Sequence, residues 1–197
     1  MNLRNSFSEY QKYRWFLAST GKLVVGGKSA EQNEKLLKKL KQGKEDFVVM
    51  HTSTPGSPFS VIISDKKEIQ KTDIEEAAIF TGCFSREWRA GKKTAHVDIF
   101  SLSQLYKDSK MKEGTWGVKG KIIRKAVQLN LVLTKQEGKL RAVSEKTVRN
   151  KKEIIIKIIP GKTPKEIFAQ QLTKKISSLK QEEILSALPA GGVEILK

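Results

Sequence analysis

Residues 13 to 43, YRWFLASTGKLVVGGKSAEQNEKLLKKLKQG, show how the domain begins. An aromatic run is followed by Gly21 and then by a short apolar run, which predicts a β-hairpin. Ser29 and Gln32 have the spacing of a capping box, so a helix is expected from there to about Gln42. This stretch therefore predicts two strands and a helix, in that order.

Further short apolar runs, separated by turn residues, predict additional strands. They lie at 46–52, 59–63, 96–102, 116–119, 127–133, 140–143 and 154–159. In the run 127–133 the apolar side chains alternate, so one strand with a single buried face is expected. The run 154–159 is almost continuously apolar, which suits a central strand that ends at Pro160-Gly161.

Three further helices are predicted. Thr72 and Glu75 have capping-box spacing, and positions 74, 77, 81, 84 and 88, all apolar except Thr81, share one face of a helix that Gly91 would end. Thr163, Pro164 and Glu166 together give the start of a later helix. Its expected apolar stripe is Ile167, Leu172, Ile176 and Leu179, and a short helix at 181–187 follows.

Strands and helices are interspersed without strict βαβ alternation, which predicts an α+β fold. We expect a single mixed domain with a central, mostly antiparallel sheet, flanking helices and a C-terminal strand-helix extension. The core is expected at about 10–126 and the extension at about 127–197.

Basic residues far outnumber acidic ones. The 197 residues include 38 Lys and Arg against 21 Asp and Glu, a formal net charge of +17. Such an imbalance indicates an anionic partner, nucleic acid first and an acidic membrane surface second. No apolar run approaches the roughly 20 residues that span a bilayer, and the N-terminus lacks the apolar segment of a signal peptide. A cytoplasmic protein with no integral membrane association is expected.

Residues that carry metal or nucleophilic chemistry are scarce. Two histidines, His51 and His96, and one cysteine, Cys83, show no ligand spacing, so neither a metal site nor a cofactor is expected. Cys83 stands beside an apolar residue and is expected to be a packed thiol. Ser57 lacks the context of a nucleophile turn. His51 keeps some catalytic potential, with a structural or phosphate-contacting role as the favoured alternative.

The glycine pair before the first helix resembles a phosphate loop only in part. Gly26-Gly27-Lys28-Ser29 ends like G-x-x-x-x-G-K-[ST], but Lys22 stands where the first glycine is required, so no NTPase is expected. The following helix still offers backbone amides and the positive end of its dipole. The loop is therefore a candidate anion site, with a plain glycine turn as the alternative.

Four groups of basic residues accompany the predicted elements. They are Lys38, Lys39, Lys41 and Lys44; Arg86, Arg89, Lys92 and Lys93; Lys119, Lys121, Arg124 and Lys125; and Lys146, Arg149, Lys151 and Lys152. The first two groups lie at the ends of predicted helices, where cations also stabilise the helix dipole. Groups spread in this way favour a broad surface that contacts phosphates over one element that reads a sequence.

Five sets of short segments occur in an order that resembles a known family. They are 13–16 (YRWF) with 23–28 (LVVGGK) and 32–34 (QNE); His51 with 55–57 (PGS); Glu76-Ala77 with 83–85 (CFS) and Trp88; 114–121 (GTWGVKGK); and 158–161 (IIPG) with 188–192 (LPAGG). Together they resemble the NFACT-R domain, the RNA-binding module of the NFACT, or NEMF-like, proteins, in an archaeal-type form. The likeness covers nearly the whole chain.

The resemblance implies an RNA-binding protein of ribosome-associated quality control, and not an enzyme. NFACT proteins bind the large ribosomal subunit with a stalled peptidyl-tRNA and recruit tRNA, so tRNA or large-subunit rRNA, and the ribosome, are the implied partners. There the module follows an NFACT-N domain, helix-hairpin-helix motifs and a coiled coil, which this sequence does not show. We expect a free-standing form that acts alone or with a separately encoded NFACT-N protein. The segment 98–105 and the interrupted basic run after Lys121 depart from the pattern, so RNA contacts are expected to differ.

Charge and resemblance together give the residues expected to contact RNA. They are Arg14, Lys28, Lys38, Lys39, His51, Ser57, Arg86, Arg89, Lys92, Lys93, Lys119, Lys121 and Arg124. Trp15 and Trp116 are candidate stacking platforms, with core packing the favoured alternative. Two other functions stay open: an adaptor for DNA or acidic membranes, and an RNA-processing enzyme with His51 and Ser57 near a bound phosphate.

Overall fold

The computed structural model describes residues 7–196. Its strands are β1 (Arg14–Leu17), β2 (Leu23–Gly26), β3 (Val48–Thr52), β4 (Ser60–Ile63), β5 (Thr94–Ser101), β6 (Leu105–Tyr106), β7 (Gly117–Val118), β8 (Ile123–Gln128), β9 (Leu131–Gln136), β10 (Lys139–Val143), β11 (Ile156–Pro164) and β12 (Gly192–Ile195). Its helices are α1 (Ala30–Lys41), α2 (Lys71–Cys83), α3 (Arg86–Arg89), α4 (Lys165–Lys175) and α5 (Gln181–Ala187). The predicted α+β class is confirmed.

A six-stranded antiparallel sheet, in the order β1-β2-β4-β3-β5-β8, forms the larger part of the molecule. Both faces of its centre are buried, and every residue of β2 and β4 is buried. Leu36 and Leu37 of α1 pack against one face, and Ala77 and Phe80 of α2 against the other. The continuously apolar strands of the sequence are explained by this covering on both sides.

A four-stranded antiparallel sheet, in the order β10-β9-β11-β12, is built from the C-terminal third of the chain. Leu133 of β9 and Ile158 of β11 belong to the same buried cluster as Ala77 of α2. Phe168 and Leu172 of α4 complete that cluster. The two sheets therefore share one core through α2, although the expected division near residue 126 stays a prediction.

Two predicted strands differ from the structure. The run 127–133 is not one strand, because β8 ends at Gln128 and β9 begins at Leu131 in the other sheet. Its alternating apolar side chains are nevertheless all buried. The pattern therefore predicted correctly which side chains are buried, but it was wrong that they belong to one continuous strand. Strand β11 does not end at Pro160-Gly161. It runs on to Pro164 through an irregularity between Pro160 and Thr163, and a bulge of this kind tolerates the missing proline N–H.

The helix predicted between Thr72 and Gly91 starts earlier than expected and is divided in two. Helix α2 is preceded by Gln70, whose backbone N–H donates to Asp73 at 2.8 Å, so Thr72 and Glu75 are not its capping box. The predicted face of positions 74 to 88 is divided, because α2 ends at Cys83 and the Ser85 hydroxyl, which accepts from the backbone N–H of Glu87 at 3.0 Å, begins α3. Tertiary packing thus decides where these helices begin and end, and the capping-box spacing in the sequence does not.

The C-terminal helices match the sequence only in part. Pro164, and not Thr163, precedes α4, and it makes no side-chain cap. Ile167 is 46% exposed, so the helix instead buries Phe168, Ala169 and Leu172. Helices α1 and α5 lie where the sequence predicts them. Among residues 7–196, no helix is long and apolar enough to cross a bilayer.

Candidate nucleic-acid interface

An open groove of about 650 Å³ crosses one end of the six-stranded sheet. Its walls are the loop between β3 and β4, the N-terminal end of α1, helix α3 and the loop 113–116 before β7. The β6–β7 pairing, with Leu105 opposite Val118, holds that last loop against the groove. The groove therefore joins segments that are far apart in the sequence.

The loop 55–57 (PGS) is fixed by two tight contacts. Gly56 has φ +111°, and a Cβ built on it would lie 2.4 Å from Cδ of Arg86. The backbone N–H of Arg86 donates to the Gly56 carbonyl at 2.9 Å. The Ser57 hydroxyl accepts from the Thr52 N–H at 2.9 Å and donates to the Pro58 carbonyl at 3.1 Å. Ser57 thus fixes the shape of the groove wall, and Gly56 contacts Arg86.

His51 lies half-buried in the groove wall. Its Nδ1–H donates to the Thr52 carbonyl at 2.7 Å, and its ring packs on Phe59 with 4.5 Å between centroids. Burial lowers the pKa of His51 below its usual value, since an imidazolium is poorly solvated there. Thr52 and Asp98 oppose that shift only in part. His51 is therefore neutral at pH 7, a packed and hydrogen-bonded ring.

The start of α1 forms the second wall. The Ser29 hydroxyl accepts from the Gln32 N–H at 3.2 Å, and the Gln32 side chain accepts from the Lys28 N–H at 3.0 Å. A Cβ on Gly27 would lie 2.2 Å from Oδ1 of Asn33, which accepts from the Phe59 N–H at 3.1 Å. The glycine thus permits close packing of helix and loop. The positive end of the helix dipole faces the groove.

Four cations line the groove: Arg14, Lys28, Arg86 and Arg89, here called the groove cations. None of them forms an ion pair within residues 7–196. The Arg14 guanidinium instead lies over the Phe84 ring, 4.7 Å from its centroid, and burial lowers the pKa of Arg14. Their positive charge remains available to an anion.

Two carboxylates also line the groove, Asp98 and Glu113. Asp98 is already engaged, because it accepts from Arg124 Nε at 2.7 Å and from the Ser53 hydroxyl at 2.9 Å. Glu113 is exposed and makes no ion pair in the described part of the chain. Four cations against one unengaged carboxylate leave the groove positive.

The residues predicted to contact RNA divide into two sets. Six of them line the groove, namely Arg14, Lys28, His51, Ser57, Arg86 and Arg89. The others do not, and four of these are held by carboxylates: Lys38 by Glu34 at 3.2 Å, Lys39 by Glu9 at 3.6 Å, Lys92 by Glu87 at 2.6 Å, and Arg124 by Asp98. Lys119 lies over the Tyr106 ring, and Lys93 and Lys121 are exposed.

The two candidate stacking residues also separate. Trp15 is 2% exposed and belongs to the core. Trp116 is half-buried and lines the groove, with the Lys107 ammonium 5.6 Å from its ring centroid. Its indole Nε1–H is buried without a hydrogen-bond partner among the described residues. Only Trp116 can offer part of its ring to a base.

Sequence reasoning missed Arg141. Its guanidinium lies 4.0 Å from the Trp15 ring centroid, and it lines a second pocket together with Arg14 and Lys28. Lys139 and Arg141 alternate along β10 in the way of any solvent-facing strand, so no local signal marks them. Only the packing of the two sheets brings Arg141 beside the groove.

Comparisons with known proteins show the family to which the chain belongs. A family model described as NFACT protein RNA binding domain matches residues 12–120, more than half of the chain. The archaeal Rqc2 homolog aRqcH of Methanocaldococcus jannaschii is 28% identical over 208 aligned residues, covering 99% of this chain and 30% of that protein. The ribosome quality control complex subunit NEMF homolog of Drosophila melanogaster is 34% identical over 83 residues, covering 41% of this chain and 8% of that protein.

The chain thus spans less than a third of either relative. Among solved structures, the C-terminal part of the fibronectin/fibrinogen-binding protein from Streptococcus suis gives a TM-score of 0.48. It covers 59% of this chain and 44% of that one at 24% identity, which is too distant to equate the two folds. The family match includes the hairpin, α1, the PGS loop and α3, which build the groove. This chain belongs to the NFACT protein RNA binding domain family.

Proposed function

We propose that this chain binds RNA in the groove and acts at the ribosome in quality control of stalled nascent chains. The names of the two relatives, an Rqc2 homolog and a ribosome quality control complex subunit, support this setting. The RNA is tRNA or large-subunit rRNA, and the chain acts alone or with an NFACT-N protein. The role is one of binding, and it includes no chemical step.

One observation carries the proposal: the four groove cations have no carboxylate partner in the described part of the chain, whereas many cations elsewhere are paired. An uncompensated group of cations favours a polyanion, because each phosphate contact releases condensed counterions. The guanidinium group of arginine also presents two parallel N–H donors, which can bind two oxygens of one phosphate. Trp116 supplies a partly exposed ring beside these cations.

The groove also explains why RNA is favoured over an enzyme's substrate. The Ser57 hydroxyl both accepts and donates within the loop, so it serves the fold. The ring of His51 packs on Phe59 and its Nδ1–H is engaged by Thr52. Neither arrangement supplies a nucleophile paired with a base.

The salt dependence of RNA binding tests the mechanism. If the four groove cations each neutralise one phosphate of a single strand, log K should fall against log[salt] with a slope of about −3. Fluorescence anisotropy with a labelled RNA at 50 to 300 mM KCl measures that slope. A flat salt response would remove the electrostatic mechanism.

A competition at fixed salt tests the partner. Structured RNA, duplex DNA and anionic vesicles are offered at equal phosphate concentration against the labelled RNA, and RNA should compete best. Co-sedimentation with isolated large ribosomal subunits should follow the same salt dependence. Stronger competition by duplex DNA or vesicles would replace RNA with that partner.

A further inference from the structure

A second pocket adjoins the groove. It has a volume of about 350 Å³ and lies between β1 of the six-stranded sheet and β10 of the four-stranded sheet. Arg14 and Lys28 line both the groove and this pocket. Lys139 and Arg141 of β10 line the pocket but not the groove. Both residues come after the segment that matches the family model. The pocket therefore extends the groove onto the C-terminal, four-stranded sheet.

Arg141 is held in place with unused hydrogen-bonding capacity. Its guanidinium lies over the Trp15 ring at 4.0 Å and donates from Nη1 to the Leu140 carbonyl at 3.0 Å. Its Nε is buried and has no hydrogen-bond partner among residues 7–196. Partial burial lowers the pKa of Arg141 to about 10, which reflects poor solvation of the cation. A buried charge of this kind normally has an anionic partner.

The cations of the pocket are close enough to repel one another. Burial lowers the pKa of Lys28, and the charges of Arg14, Arg141 and Lys139 lower it further. Glu182 and Glu183 also line the pocket, but neither forms an ion pair within the described residues. The Glu183 carboxylate faces the Lys180 N–H at the start of α5. The pocket thus brings four cations together with two carboxylates, and none of the four is ion-paired within the described residues.

We propose that this pocket, centred on Arg141, binds a phosphate group, so that RNA lying in the groove continues across Arg14 and Lys28 onto strand β10. The inference rests on the proposed function for the source of that phosphate. Phosphate fits because a guanidinium fork and an ammonium present several donors to its oxygens and none of them needs to lose a proton. The C-terminal sheet then belongs to the RNA-binding surface.

Two substitutions and a matched control test the proposal in the full chain. Arg141→Gln removes the guanidinium over Trp15. Lys139→Gln removes an exposed ammonium that donates to Gln11 at 2.6 Å, so it leaves the contact between Arg141 and Trp15 in place. Lys135→Gln, on the neighbouring strand β9, removes one exposed charge outside both the pocket and the groove. Circular dichroism and Tm establish that each variant is folded.

The RNA arm measures affinity and salt slope by anisotropy. Arg141→Gln should weaken binding about tenfold and reduce the slope by about 0.7 to 1, as expected for one lost phosphate contact. Lys139→Gln should act in the same direction with a smaller effect, and Lys135→Gln should leave both quantities nearly unchanged. A second arm measures Tm of the same proteins in inorganic phosphate and AMP against chloride at equal ionic strength.

The two arms separate the sources of phosphate. A loss confined to the RNA arm assigns the site to the RNA backbone. Unchanged RNA binding, with a phosphate-dependent rise in Tm that Arg141→Gln removes and Lys135→Gln keeps, assigns it to a free phosphate. If neither quantity depends on Arg141 or Lys139 beyond the control, the pocket is not a phosphate site. Failure of the proposed function looks different, since the unmodified chain would then not bind RNA.

Discussion

The groove cations differ from the acid-paired cations, which are Lys125 and Lys146 around Glu75, and Lys151 and Lys157 around Glu145. Glu75 lies 3.2 Å from Lys125 and 2.6 Å from Lys146, and Glu145 lies 3.3 Å from Lys151 and 3.0 Å from Lys157. The groove cations have no such partner in the described residues. The net charge of the chain therefore overstates the charge that is available to a ligand.

The difference is one of degree, because exposed ion pairs are weak. Such a pair contributes about 0 to 1 kcal/mol and is screened by salt. A phosphate can displace the carboxylate, but binding then loses the energy of the pair. The groove cations bear no such cost, and the cations beside them raise the local potential. RNA should therefore favour the groove over the acid-paired cations.

The largest effect is expected from removing two groove cations. Arg86→Gln with Arg89→Gln should weaken RNA binding about 100-fold at low salt and reduce the salt slope by about 1.5 to 2. The matched pair Lys146→Gln with Lys151→Gln removes the same charge and should cost less than about threefold. Equal losses in the two double variants would show that only net charge matters.

A smaller effect is expected from the loop that places Arg86. Gly56→Ala introduces a Cβ 2.4 Å from Arg86 Cδ at a backbone with φ +111°, so it should lower the free energy of unfolding by about 2 kcal/mol or more and weaken RNA binding. Gly91→Ala is the matched control, because Gly91 has φ +71° and no atom of residues 7–196 lies within 4 Å of its Cβ position. It should cost about 1 kcal/mol and leave RNA binding unchanged. Chemical denaturation measures the free energy of unfolding of both variants, and anisotropy measures their RNA affinity. If the two variants gave the same values, the contact between Gly56 and Arg86 would have no role in stability or RNA binding.

The pH dependence of RNA binding gives a third, smaller effect. Because burial lowers the pKa of His51 below 6.5, its ring is neutral at pH 7 and gains a proton only at more acidic pH. RNA affinity should be constant from pH 8 to 7 and should rise only at pH values below 6.5, as the groove gains a charge. His51→Gln should remove most of that rise. An affinity that changes steeply between pH 7 and 8 would contradict the neutral ring.

The smallest effect is expected at Glu75. Lys146 and Lys125 lower its pKa from 4.5 to about 2, so its ion pairs stabilise the fold fully above pH 4.5, and this contribution is lost as the pH falls towards 2. Glu75→Gln should cost less than about 1 kcal/mol at pH 7 and flatten the loss of stability between pH 5 and 2. Its RNA affinity should rise by no more than about twofold, as Lys125 and Lys146 are released. If Glu75→Gln raised the RNA affinity by as large a factor as Arg86→Gln with Arg89→Gln lowers it, the groove cations and the acid-paired cations would not differ in RNA binding.

The local features of the fold could be predicted from the sequence. The hairpin β1–β2 and helix α1 follow from turn residues and a cap within one continuous stretch. The change of sheet near Leu129 could not, because the apolar alternation continues unbroken from Val127 to Leu133 while the backbone N–H of Leu129 turns to the Lys93 carbonyl at 2.8 Å. Alternation indicates which side chains are buried and does not reveal which sheet buries them.

The same limit applies to the interface. The sequence named Arg14, Lys28, Arg86 and Arg89 as contacts, and the structure places them around one groove. The sequence could not show that Lys38 is held by Glu34 or that Arg124 is held by Asp98, because ion pairing depends on side-chain geometry in the folded chain. Arg141 escaped notice because its neighbours Trp15 and Arg14 are more than 120 residues away in the sequence. RNA contact by these residues stays a prediction.

The central claim is that RNA lies in the groove and not over the acid-paired cations. Ultraviolet crosslinking of the full chain to RNA, followed by digestion and mass spectrometry, locates the bound strand directly. We expect crosslinked peptides to contain Phe84 or Trp116, whose half-buried benzene and indole rings line the groove. Crosslinks concentrated in the segment 145–157, with none at either ring, would contradict the account.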